Sequence, residues 1–256
     1  MTMNLPPRES TPVDVKYFRE YGLHDTGLRD PTYIASAPSW GEMEQLLKFR
    51  MPYGGDIVTN DYATMSEELW ADVPGNMNEI NDRIRAVRAM SMRVDATIHL
   101  GTPFRGPGGI HTSAVSIHRG DIVGKTYKNV LYDVERDAGL SDAPWGKNEH
   151  VRENGTALAI CSDLVAAPYF FTAEERRRAK RLFGLTAWAF TESGDEKWFQ
   201  QVTEAGGFDK FFQQRLEFTV GTTILPELPN VRSVVISDEG QPSIDLAPFN
   251  AVFTRK

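Results

Sequence analysis

Met77, Ile80, Ile84, Val87 and Met90 recur at spacings of three and four, with Asp82, Arg83, Arg85 and Arg88 between them, and no other feature constrains the fold as much. That period lays one apolar stripe along a helix and predicts an amphipathic helix resting on a core. Short β-prone runs stand on both sides of it. Upstream, 32–37 (TYIASA) reads as a strand, and the capping box Ser39-Trp40-Gly41-Glu42 starts a helix that reaches Phe49. Gly54-Gly55 then opens a strand over 56–59, which ends at the polar trio Asn60, Asp61 and Tyr62. Downstream come a strand over 96–100, a loop over 101–109, and strands over 113–117 and 122–127 joined by a hairpin turn at Arg119-Gly120.

The second half continues the alternation. Strands are predicted over 157–161, 185–190, 231–237 and 244–252. A capping box at Thr172-Ala173-Glu174-Glu175 opens a basic helix to about Leu182, and a further helix over 208–220 turns Phe211, Phe212 and Leu216 inward. This order suits one α/β domain with mixed parallel and antiparallel strands over residues 31–256. Residues 1–30 carry Pro6, Pro7, Pro12 and many charges without a clean period, and read as an N-terminal arm lying on the surface or on a partner.

Composition closes off several functions. The chain has 256 residues, a net charge of −7 and 25% charged residues, with Lys and Arg scattered apart from a run at 176–181 that reads as a solvent-facing helix surface. Nothing in this offers an electrostatic footprint for nucleic acid or an anionic membrane. No window approaches the apolar length needed to cross a bilayer, and the start MTMNLPPREST lacks a basic region followed by an apolar one, so a cytoplasmic protein is expected. A single cysteine, Cys161, excludes an internal disulfide and any multi-cysteine metal site. His111 and His118 are seven apart, which on a continuous strand puts them on opposite faces, so with His99 they make no metal site. The glycines at 106, 108 and 109 fit neither common phosphate-binding pattern.

The segment 96–135, ATIHLGTPFRGPGGIHTSAVSIHRGDIVGKTYKNVLYDVE, resembles the middle of a nitrilase-superfamily carbon-nitrogen hydrolase. A strand ends in Gly-Thr-Pro, a hairpin follows whose second strand reads G-x-I-x-G, and Lys128 stands where that family has a catalytic lysine. Residues 155–164, GTALAICSDL, resemble its nucleophile motif, an apolar strand ending in Cys-x-Asp, here Cys161-Ser162-Asp163 and 33 residues beyond Lys128. The resemblance extends more weakly over most of 32–252. It implies a four-layer αββα sandwich, pairing into a homodimer or larger homo-oligomer, and Glu135 as a second acid seven residues after the lysine.

The implied chemistry is hydrolysis of a non-peptide C–N bond in a small amide or carbamoyl compound through a thioester, without metal or organic cofactor. Cys161 is then the nucleophile, Asp61 the general base, Lys128 and the N–H of Ser162 the stabilisers of negative charge, and Glu135 an orienting acid. Trp188 would line the substrate pocket. A nitrilase acting on nitriles, or an acyl transferase using the same thioester, is the alternative enzyme. Where the family has a glutamate base, this chain offers Asp61, shorter by one methylene or about 1.5 Å. Three outcomes stand open: the backbone sits closer, Glu67 or Glu68 substitutes, or the base is lost and the chain is a binding or scaffold protein. By themselves Lys128 also reads as a solvated strand-end residue, Asn60-Asp61 as a turn, and Glu135 as part of a charged face with Asp133, Arg136 and Asp137.

Overall fold

The computed structural model describes residues 13–18, 22–25, 31–144, 148–161, 163, 172–179, 181–189, 204, 233–237 and 246–255. The first half forms β1 (Val13–Phe18), β2 (Gly22–Asp25), β3 (Thr32–Ser36), α1 (Trp40–Phe49), β4 (Asp56–Thr59), α2 (Glu67–Trp70), α3 (Met77–Ser91), β5 (Thr97–Gly106), β6 (Gly109–His118) and β7 (Asp121–Tyr127). The second half adds α4 (Asp133–Asp137), β8 (Thr156–Ile160), α5 (Ala173–Arg178), β9 (Arg181–Ala189), β10 (Ser233–Ser237) and β11 (Leu246–Arg255).

A six-stranded sheet runs β2-β3-β4-β5-β6-β7. Its centre, β3, β4 and β5, is parallel and is joined by crossovers carrying α1 and α3, while β5, β6 and β7 form an antiparallel meander. All four residues of β4 are buried, as expected of a parallel strand covered on both faces. The helices cover one face. Met43 and Leu47 of α1 and the α3 stripe Met77, Ile80, Ile84, Val87 and Met90 share one core with Ile57, Ile98, Leu100, Val115 and Ile117 of the sheet. The Ser39 hydroxyl accepts the Glu42 N–H at the start of α1, as its capping sequence predicts.

The other face meets a five-stranded sheet, order β1-β10-β11-β9-β8, with β6 and β7 against β8 and β4 against β9. A polar chain crosses this contact. His99 reaches Asp56 (3.2 Å) and Ser116 (2.9 Å), and Arg152 donates to Ser116 (3.0 Å) and Thr126 (3.0 Å), while the His99 ring lies 5.3 Å from that of Phe183. β8 and β9 are parallel, so both end at the same edge of this sheet. Among the described residues no helix is long and apolar enough to cross a membrane.

Several expectations change. The glycine- and proline-rich stretch 101–109 is not a loop: β5 and β6 stay paired down to Gly106 and Gly109. β4 pairs only with Thr97–His99 of β5, so Pro103 lies where the strand has no partner on that side and its missing N–H costs nothing. Two stretches of the expected arm are strands, β1 beside β10 and β2 beside β3; the alternation V-D-V-K-Y-F is the signal that the prolines and charges obscured. The basic helix ends at Arg178, because Arg181 already pairs with Thr156 as the start of β9, and the basic run is divided between the two elements. The helix expected over 208–220 lies outside the described residues.

Candidate active site

Asp61 stands two residues past β4, and its position depends on Gly101 of β5. A Cβ on Gly101 would fall 2.3 Å from the Asn60 carbonyl oxygen and 2.7 Å from the Asp61 Cα. Only glycine lets the Asn60-Asp61 backbone settle this close to β5. The Thr59 hydroxyl fastens the approach by accepting the Gly101 N–H (2.9 Å). Asp61 is fully buried. Its Oδ1 accepts the Tyr62 N–H (3.0 Å), and its Oδ2 has no hydrogen-bond partner among the described residues. Burial pushes the carboxyl up to about 7; Lys128 pulls it down and Asp163 adds to the rise. Tyr62 takes a left-handed φ of 57°, uncommon for an aromatic residue, and packs edge-on against Trp70.

Lys128 follows β7 directly, its backbone N–H bonded to the Thr112 carbonyl (2.8 Å), and its side chain is 1% exposed. It is no solvated strand end. Its ammonium meets both oxygens of Glu135, at 2.8 and 2.7 Å. Glu135 lies in the short helix α4 and also accepts the Thr112 hydroxyl (3.0 Å), the Tyr62 hydroxyl and the Tyr132 N–H (2.8 Å). Burial, then the Asp61 carboxylate, push Glu135 up to about 8, while the Tyr132 N–H pulls the other way. Glu135 is therefore a buried partner of Lys128, and its charged neighbours in sequence form the exposed face.

Cys161 lies one residue past β8. It is 3% exposed, its N–H bonds the Leu185 carbonyl of β9 (2.8 Å), and its φ is +49°. A non-glycine residue in that region costs about 1–2 kcal/mol, a strain that accumulates where the side chain must be aimed. Two residues on, the Asp163 carboxylate accepts the backbone N–H groups of Asn129 (2.7 Å) and Val130 (3.0 Å) and the Asn129 side-chain N–H (2.9 Å). Burial lifts Asp163 to about 6 against these hydrogen bonds and Lys128. This carboxylate ties the turn carrying Cys161 to the residues that follow Lys128, across the two sheets.

Asp61, Lys128, Glu135 and Asp163 thus form one buried, mutually interacting group, with Cys161 joined to it through the Asp163 turn. Glu67 and Glu68 are exposed at the start of α2, and Glu68 is held below its ordinary value by its own backbone N–H and the Ser66 hydroxyl. Neither enters the group. Ser162 lies outside the described residues, and of Trp188 only the backbone in β9, paired with Ala247 of β11, is described. Among the described residues no three of His, Cys, Asp and Glu stand together as a metal site. His111 instead bonds the Ser141 and Pro107 carbonyls. Thr112 and Asn129 join the contacts of the buried group and were not singled out from the sequence, whereas Tyr62 was read as part of the polar strand end. A threonine buried within a strand is a weak signal for the first contact, and only the fold reveals the second.

No protein-family profile matches the chain, and no curated protein matches it in sequence. Solved structures do match it in shape. A carbon-nitrogen hydrolase from Helicobacter pylori G27 is similar over 87% of this chain and 80% of its own, at 16% identity and a TM-score of 0.55. The chain has the nitrilase-superfamily fold. Saccharomyces cerevisiae Nit3, a member of branch 10 of the nitrilase superfamily, matches 93% of this chain and 80% of its own at 12% identity and a TM-score of 0.50. A glutamine-dependent NAD+ synthetase from Acinetobacter baumannii matches 78% of this chain but 35% of its own, at 14% identity and a TM-score of 0.50. At these identities the likeness is one of fold.

Proposed function

We propose that this nitrilase-fold chain hydrolyses a non-peptide C–N bond in a small amide or carbamoyl compound, with Cys161 as nucleophile. The observation that carries the reading is the buried group of Asp61, Lys128, Glu135 and Asp163, fastened to the strained turn that bears Cys161. Asp61 takes the proton from the Cys161 thiol as sulfur attacks the carbonyl carbon. An aspartate ionising near 7 is poised for that transfer at neutral pH. The C=O electron pair moves onto oxygen, where the Lys128 ammonium and the Ser162 N–H stabilise it. When the pair returns, the C–N bond breaks and Asp61 gives its proton to the leaving amine. A thioester remains. Asp61 then deprotonates a water that attacks the thioester, and the carboxylic acid and free thiol are released. Glu135 holds Lys128 in place throughout, and Trp188 lines the pocket. The close Gly101 contact supports the shorter aspartate as base, since the backbone there is drawn in.

The reading includes a homodimer or larger homo-oligomer that acts on its small-molecule substrate in the cytoplasm. Its test is ammonia or amine release from a panel of amides, carbamoyl compounds and nitriles, with trapping of the acyl-enzyme by intact mass. Wild type releases product and carries an acyl adduct on Cys161. Cys161→Ala does neither, with its melting temperature nearly unchanged. Turnover that persists in Cys161→Ala refutes the mechanism, activity confined to nitriles moves the substrate class, and a silent panel without adduct favours a binding protein.

A further inference from the structure

Asn129, next to Lys128, is gripped by a second, partly buried network that includes the buried His150 and Asp163. Its backbone N–H and its Nδ2 both donate to Asp163, its Oδ1 accepts from Asn148 Nδ2 (3.2 Å), and its Nδ2 also meets His150 Nε2 at 3.1 Å. The orientation of both amides is dictated by partners with a single role. A carboxylate accepts, so the Asn129 group facing Asp163 is its NH2. A backbone N–H donates, so the Asn148 atom facing Tyr127 N at 2.7 Å is its carbonyl oxygen. Both asparagines therefore turn NH2 groups toward His150 Nε2, at 3.1 and 3.2 Å, and that nitrogen must offer its lone pair. The proton then resides on Nδ1, which faces Glu175 Oε1 at 3.4 Å.

Glu175 is anchored in turn. It accepts the His150 backbone N–H (2.9 Å) and both the N–H and hydroxyl of Thr172 (2.8 and 3.0 Å), which makes it the closing glutamate of the capping box that starts α5. Burial alone would raise its carboxyl, but the hydrogen bonds from His150 and Thr172 outweigh it and bring the group down to about 2. A continuous chain of contacts, Glu175 to His150 to Asn129 to Asp163, joins the start of α5 to the turn of Cys161 by way of the residue beside Lys128.

We propose that His150 is a positioning residue: acting through Asn129, it holds Lys128 and the Cys161 turn in their working arrangement. This rests on the hydrolase reading above. Without an acceptor at the Nε2 position, one N–H of the half-buried Asn129 loses its partner. The amide then rotates to find one and loosens its grip on Asp163. A shift near 1 Å at reacting groups costs on the order of 100-fold in rate.

Two conservative variants separate this role from a general structural one. His150→Gln returns an amide oxygen to about the place of Nε2, whereas His150→Asn reaches only to the place of Nδ1, serving Glu175 and leaving Asn129 unpaired. On the full chain, alkylation of Cys161 by iodoacetamide is followed by intact mass, with kcat and KM on whichever amide wild type hydrolyses. His150→Asn slows labelling and kcat by about 10- to 100-fold with KM little changed, while His150→Gln stays within about threefold of wild type. Asn129→Ala slows both as much as His150→Asn does, and the double variant is no slower than either single one. Equal behaviour of the glutamine and asparagine variants, or losses that multiply in the double variant, overturns the proposal. If His150→Asn does not fold, labelling of Asn129→Ala at the wild-type rate overturns it equally. If wild-type Cys161 reacts no faster than in denatured chain, the hydrolase reading falls and this role with it. If wild type is fast and His150→Asn matches it, this role alone falls.

Discussion

A carboxylate stripped of water keeps its proton to higher pH, and Asp61 does so up to about 7 because burial exceeds the pull of Lys128. Two outcomes follow at this residue. As the proposed base, Asp61 acts ionised, so kcat/KM is expected to rise with pH through about 7 and Asp61→Asn to lower kcat by about 100-fold or more; a pH–rate profile of both proteins checks this. The same shift bears on stability with a defined sign. The folded carboxyl holds its proton where the unfolded one, near 3.9, has lost it, so its contribution is greatest below about 4 and is lost as pH rises through about 7. The melting temperature of Asp61→Asn relative to wild type therefore climbs from pH 5 to pH 8.5, by an effect on the order of a few kcal/mol. A difference that is flat or falls with pH contradicts the assignment. Asp61 itself was visible in the sequence as a polar strand end, but its burial was not. A turn residue and a buried carboxylate look alike until another strand closes over them.

Two glycines constrain the elements, one away from the site and one beneath it. At Gly120 the chain turns between β6 and β7 with φ of 48° at Arg119 and 85° at Gly120, the paired left-handed turn that suits twisted hairpin strands. Gly120→Ala strains that turn and presses its Cβ to 2.7 Å from Met92 Cγ. It is expected to cost about 1–2 kcal/mol in denaturant unfolding while leaving kcat unchanged. Gly101→Ala meets backbone instead, at Asn60 and Asp61. It is expected to lower kcat by about 100-fold, well beyond what its loss of stability accounts for. The hairpin turn was legible because Arg119-Gly120 sits between two apolar runs. The reach of β5 was not, because Gly, Thr and Pro at 101–103 signal a break, and only the vacant side of the strand makes them harmless.

At the scale of the molecule, the described part of the contact between the two sheets carries buried polar groups, and Arg152 joins Ser116 and Thr126 among them. It is buried enough to be drawn down to about 10, donates to Ser116, Thr126 and the Glu149 carbonyl, and lies against Gly124, where a Cβ would come within 2.4 Å of its Nε. Arg152→Ala takes a donor from the buried Ser116 and Thr126 hydroxyls, while the Glu149 carbonyl keeps that of Thr126 (2.6 Å). It is expected to destabilise by about 3 kcal/mol in chemical denaturation, with loss of cooperativity between the sheets as the accompanying sign.

By itself the sequence determined most of the alternation from β3 to β9, but not β1, β2, α2 or α4. Helical and strand periods are local, set by which side chains must face one core, so α1, α3, β4 and the β6–β7 hairpin can be read from a few residues each. Cys161 and Lys128 were singled out by the resemblance of their surrounding motifs to a known family, Cys161 just past the apolar strand β8 and Lys128 directly after β7. What only the tertiary structure decided is which distant residues share one buried space. Gly101 beneath Asp61, Thr112 and Tyr62 on Glu135, and Asp163 on Asn129 are contacts between separate strands and turns. No period records such contacts, because burial and charge coupling arise only once the sheets have packed.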